Sequence, residues 1–146
     1  MVIFMNYALK EAQKAYNKMD VPVGCVIVYN GKIIARGYNK REKDQNVIKH
    51  AEIEAIDKAC KALKSWRLND CTIYTTLFPC PMCASAIQQS RISKLVYLNN
   101  TNNKALNDIS LNILFNENLN HRVKIDKIFL ENSIIDDFFE KIRKEK

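Results

Sequence analysis

Three residues of this chain have the types and the spacing to hold a metal ion: His50, Cys80 and Cys83. Imidazole and thiolate are the ligands preferred by a borderline-soft cation such as zinc. A Cys-x-x-Cys pair brings two sulfurs from one turn to one ion, and His50 arrives from another element. Three protein ligands leave a tetrahedral ion one open position, the mark of a catalytic rather than a structural site. Glu52 stands two residues after His50, close to such an ion without having to ligate it. A carboxylate beside activated water can take a proton and deliver it to a substrate nitrogen, which is the chemistry of hydrolytic deamination. Each piece alone has a plainer reading. His-x-Glu is common by chance, Cys-x-x-Cys can be redox-active or half of a structural zinc site, and His121 could close such a site as a fourth ligand.

The elements around these residues read as alternating helices and strands, hence an α/β protein. Phe4, Tyr7, Ala8, Ala12, Ala15, Tyr16 and Met19 recur at helical spacing, with Lys10, Lys14 and Lys18 on another face. Val21-Pro22-Val23-Gly24 breaks that pattern. Strands are expected over Cys25–Tyr29 and Lys32–Tyr38, joined by the turn Asn30-Gly31. Further expectations are a helix over His50–Leu63, a strand over Thr72–Leu77, a helix over Met82–Ser90 and a strand over Leu95–Leu98. A polar loop then covers Asn99–Asn107, followed by a short helix over Ile109–Phe115 and a brief strand over Val123–Ile125. Ile134, Ile135, Phe138, Phe139 and Ile142 form a closing helical stripe, followed by Arg143-Lys144-Glu145-Lys146. His50 and the cysteine pair both fall at helix starts. Pro81 suits a first helical position, and a helix N-terminus lowers the pKa of a nearby thiol.

The 146 residues suffice for one domain, 1–146, with a single buried core. No apolar run is long enough to span a bilayer. Met1–Lys10 shows no export signal, so the expected location is cytoplasmic. Cys25, Cys60, Cys71, Cys80 and Cys83 make an odd count, which argues against a disulfide framework. Cys25, Cys60 and Cys71 are expected to be small core residues, and Trp66 a packing residue. The net charge of +7 is compatible with a polyanionic partner such as nucleic acid.

His50-Ala51-Glu52 followed by Pro79-Cys80-Pro81-Met82-Cys83 matches the known H-x-E, P-C-x-x-C signature of zinc nucleobase deaminases. At these residues the chain resembles the cytidine-deaminase-like superfamily, and within it the bacterial tRNA adenosine deaminases that convert the wobble adenosine to inosine. Val21-Pro22-Val23-Gly24, Gly37-Tyr38-Asn39, Ser65-Trp66-Arg67-Leu68 and Ser90-Arg91-Ile92 extend the likeness. Asn120-His121-Arg122-Val123 and Asp137-Phe138-Phe139 point to the tRNA branch. The resemblance implies a three-layer α/β/α sandwich around a mixed five-stranded sheet, assembled as a homodimer. It makes His50, Cys80 and Cys83 the ligands of one Zn2+ per chain, and Glu52 the proton shuttle. It puts Asn39 against the flipped base, Val21 in the pocket wall, and Phe139 and Arg143 against a tRNA anticodon stem-loop. One of Phe138 and Phe139 is expected to be plain core.

Two departures from that family pattern stand out. Phe78 occupies a position that is usually Glu, and the loop from Leu98 to Ala105 lacks the usual Gly and Asp. Three functions therefore compete: deamination of the wobble adenosine in tRNA, deamination of a free base or nucleoside of guanine or cytosine type, and an inactive zinc-binding partner module. The basic balance and the final helix favour RNA, and Glu52 favours an enzyme.

Overall fold

The computed structural model describes residues 1–145. Its elements in chain order are α1 (Val2–Asn17), β1 (Gly24–Tyr29), β2 (Lys32–Tyr38), α2 (Ala51–Leu63), β3 (Cys71–Leu77), α3 (Pro81–Gln89), β4 (Lys94–Asn99), α4 (Lys104–Leu114), β5 (Lys124–Lys127) and α5 (Ile134–Glu145). The five strands form one sheet in the order β2-β1-β3-β4-β5. β1 runs antiparallel to β2 and β3, whereas β3, β4 and β5 are mutually parallel. The sheet is thus mixed, as expected.

Strand alternation divides the apolar residues between two cores. On β1, Cys25 and Ile27 point into a core shared with α2, α3 and α4. Val26 and Val28 point to the other face, against Met5 and Ala8 of α1. A strand buried on both faces reads as an uninterrupted apolar run, which is what Cys25 to Val28 is. α5 joins the α1 side through Phe138, which is 1% exposed and meets Tyr16 edge-on at 5.8 Å. Helices on both faces make the three-layer α/β/α sandwich.

Two glycines set how closely the helices approach the sheet. A Cβ on Gly24 would lie 2.1 Å from the Ala8 carbonyl oxygen of α1. A Cβ on Gly37 would lie 2.2 Å from the Ala51 carbonyl oxygen, in the first turn of α2. Both positions need a residue with no side chain.

Element boundaries differ from the sequence expectations by a residue or so, except at 99–107. That polar stretch turns helical at Lys104, because the Asn103 side chain accepts the Leu106 backbone N–H at 3.1 Å and caps α4. The last strand is shifted to Lys124–Lys127, pairing in parallel with β4. Among the described residues no helix is long and apolar enough to cross a membrane.

Candidate active site

The site forms where the first turns of α2 and α3 converge. His50 is the N-cap residue of α2 and Cys80 that of α3, with Pro81 opening the helix behind it. Cys83 follows one turn into α3 and is fully buried. The His50 Nδ1 atom lies 3.7 Å from Cys80 Sγ and 3.5 Å from Cys83 Sγ. All three donor atoms fall within 4.8 Å of one another. Zinc bonds of about 2.3 Å to sulfur and about 2.05 Å to nitrogen, at a tetrahedral angle, put S and N about 3.6 Å apart. The donor set therefore fits a zinc ion in chemistry and spacing. His121 does not join it. Its Nε2 is 2.8 Å from the Ile92 carbonyl oxygen, beyond the far end of α3.

The protons of this cluster are strongly redistributed. The hydrogen bond from Cys83 holds the Cys80 thiol down at about 4, and the His50 ring works in the same direction. The same Cys80 contact, with burial, pushes the Cys83 thiol far above the usual thiol range. The Cys80 sulfur in turn raises the pKa of His50. Two sulfurs and an imidazole facing one point compete for protons, and a dication binds all three in their deprotonated forms.

Glu52 is 4% exposed, and burial raises its carboxyl to about 7. It lines a small cavity of about 160 Å³ together with Val21, Val23, Asn39, His50 and Cys80. Arg41, Ala51, Leu77, Phe78 and Thr101 complete the wall. Asn39 is held in orientation there. Its Nδ2 donates to the Val21 carbonyl at 3.1 Å, and its Oδ1 accepts the Arg41 N–H at 3.1 Å. One N–H and one lone pair of that amide stay free for a ligand. Phe78 is buried, stacks edge-on against Tyr97 at 4.8 Å, and gives the cavity an apolar wall.

A second cavity of about 420 Å³ adjoins the first and shares Val21, Leu77 and Thr101 with it. Asn99, Asn102, Asn132, Ser133, Asp136 and Phe139 line the rest. The sequence points to Phe139 through its helical stripe but not to the amide-rich floor, because 126–133 carry no motif and the family resemblance marks the 98–105 loop as RNA-facing without assigning a role to its asparagines. Phe138 fills the core, whereas Phe139 is 42% exposed at the cavity. Arg143 stands one turn further along α5, exposed and outside both cavities. Arg41, also missed, lines the small cavity two residues past Asn39. Cys25 is a core residue as expected, and its Sγ lies 3.4 Å from the Ala51 carbonyl oxygen at the start of α2. Trp66 is 53% exposed and covered by Arg67, so it is a surface residue rather than packing.

Residues 2–99 match the family described as the cytidine and deoxycytidylate deaminase zinc-binding region. A Bacillus subtilis tRNA-specific adenosine deaminase is 44% identical over 99% of this chain and 91% of its own length. The Rickettsia bellii protein of the same name is 42% identical, covering 95% of this chain and 99% of that protein. The chain belongs to the zinc-binding deaminase family, in its tRNA-specific adenosine deaminase branch. Among solved structures, a tRNA wobble-position deaminase that performs A-to-I editing superposes with a TM-score of 0.78 and 34% identity. That match covers 87% of this chain and 98% of the other. Bacillus subtilis guanine deaminase superposes with a TM-score of 0.67 at 30% identity, over 97% of this chain and 92% of that one. The fold is thus shared with both a tRNA deaminase and a guanine deaminase.

Proposed function

We propose that this protein hydrolytically deaminates the wobble adenosine of tRNA to inosine. The observation that carries the choice of substrate is the second cavity. A free base is accommodated by the 160 Å³ pocket alone, and has no use for 420 Å³ of adjoining space lined by amides, hydroxyls and Phe139. An unstacked RNA loop does, since its neighbouring bases need edges to bond to and an aromatic face to stack on.

His50, Cys80 and Cys83 would hold one zinc ion per chain. Zinc bound there lowers the pKa of water from about 15.7 to about 7. Asn39 orients the flipped base through its free amide N–H and oxygen, while Val21, Val23 and Phe78 exclude solvent from its flanks. Glu52 takes a proton from the attacking water and delivers it to the ring nitrogen. The water oxygen bonds to C6 of adenine, the C6–N6 bond breaks, and Glu52 hands the second proton to the departing ammonia. Its burial suits this role, because a carboxyl near neutrality both accepts and returns a proton. A dication alongside would draw its pKa down again, so burial and charge act against each other at this residue.

Phe139 and Arg143 are proposed to extend the RNA contact along α5, by stacking and by phosphate pairing respectively. The protein is proposed to act in the cytoplasm as a homodimer of single-domain chains. Exposed Leu106, Ile109, Leu111 and Phe115 on and after α4 supply apolar surface for a second copy to cover.

A substrate panel tests the reading. The zinc-loaded protein is assayed on a wobble-adenosine stem-loop, on free guanine and cytosine, and on their nucleosides. Inosine formation in the stem-loop, with no turnover of free bases, is expected. Turnover of guanine with an untouched stem-loop would replace this reading by the free-base one. Bound zinc without turnover of any of them would make the chain a partner module.

A further inference from the structure

Tyr38 closes β2 immediately before the pocket residue Asn39, and three ammonium groups converge on its ring. Lys18 and Lys40 each lie 4.9 Å from the ring centroid, and Lys14 lies 6.0 Å away. Lys18 Nζ also donates to the phenol oxygen at 2.6 Å. That contact lowers the phenol's pKa and raises the ammonium's, so the hydroxyl is itself polarised by the cluster.

Little negative charge answers these cations. Glu11 pairs with Lys14 at 2.7 Å. Asp20 is buried, and its two oxygens accept the backbone N–H groups of Glu42 and Lys43 at 2.7 and 3.0 Å. Asp44 acts on Lys18 only from a distance. Among the described residues neither Lys18 nor Lys40 makes an ion pair. Like charges held around one ring repel each other, and a ring quadrupole offsets only part of that cost. The loop that presents them is nonetheless braced. Asp20 pins Glu42 and Lys43, and the Lys40 N–H donates to the Lys49 carbonyl at 2.9 Å. Asn39 and Arg41, on either side of Lys40, both line the catalytic pocket.

We propose that Lys14, Lys18, Tyr38 and Lys40 form a phosphate-binding platform at the pocket rim, which takes the backbone of the RNA. The proposal rests on the reading of an RNA substrate and adds a second, separate footprint to it. The platform acts on capture of the RNA and not on the chemical step, since none of its groups lines the catalytic pocket. Each phosphate contact contributes about 0.7–0.9 to the slope of log affinity against log salt, or about sixfold at about 0.1 M salt relative to 1 M.

The test compares wild type, the double variant Lys18→Gln/Lys40→Gln, and a control pair, Lys32→Gln/Lys61→Gln. The control removes the same charge at the β1–β2 turn and the last turn of α2, away from the pocket. Deamination of a wobble-adenosine stem-loop is followed across a salt series. At about 0.1 M salt the platform variant should lose roughly 30-fold in kcat/KM, with kcat at saturation within about twofold of wild type. Its salt slope should fall by about 1.5, and the difference should close near 1 M salt. The control pair should follow wild type. An unchanged slope in the platform variant overturns the proposal, as does an equal loss in the control, which would reduce the effect to net charge. If wild type itself leaves the stem-loop untouched while deaminating a free base, the RNA reading fails first and the platform falls with it. That failure is recognised from the wild-type protein alone.

Discussion

Cys83 is the residue on which metal and fold depend together. It is fully buried, its sulfur faces both His50 and Cys80, and it sits one turn inside α3. Cys83→Ala should therefore abolish stoichiometric zinc and lower stability, because site binding and folding share one free energy. Metal analysis and thermal melts on the same sample check this. A variant that retains one zinc per chain would show that the ligand set is wrong. Zinc binding should also release protons, since the Cys83 thiol is held protonated before the ion arrives.

At the scale of elements, the site depends on how closely α2 and α3 approach the sheet. Gly37 lies under Ala51, the residue between His50 and Glu52. Gly37→Ala would press a methyl group into that backbone turn and should cost about 1–3 kcal/mol. Zinc affinity should fall with it, as His50 is displaced, while the same substitution at Gly31, against open space at the hairpin, should leave zinc affinity alone. Calorimetry and zinc titration separate the two. β2 and α2 are legible in the sequence because apolar spacing dictates them: it predicts β2 at its observed ends and α2 within one residue, whereas the start of α4 is set by the polar cap at Asn103. The ligand cluster was readable because its spacing is a motif. The walls of the cavities were not, since Leu77, Thr101 and Asn132 come together only through strand order. The 99–107 loop is fixed by its own side chains. Without Gly or Asp, it is held by Thr101 to Asn107 at 2.7 Å, by Asn99 to Asn132 at 3.0 Å, and by the Asn103 cap.

At the scale of the molecule, the chain carries a net charge of +7, and two adjoining cavities open beside the first turns of α2 and α3. Arg143 on the last turn of α5 makes no ion pair with a described residue, and it lies one turn beyond Phe139. Arg143→Ala should weaken stem-loop binding about sixfold at about 0.1 M salt and reduce the salt slope by about 0.7–0.9. Zinc content should not change. Identical slopes for wild type and variant would remove this contact. The central claim, that a zinc site with a buried carboxylate deaminates RNA, is tested most directly by single-turnover deamination of a wobble-adenosine stem-loop. Zinc-loaded wild type and Glu52→Gln are compared, with metal content measured on both. Glu52→Gln should keep its zinc and its fold and lose about 10²–10⁴-fold in rate, the usual worth of a positioned proton donor and acceptor. A Glu52→Gln protein that loses its zinc, or that deaminates at the wild-type rate, would contradict the account.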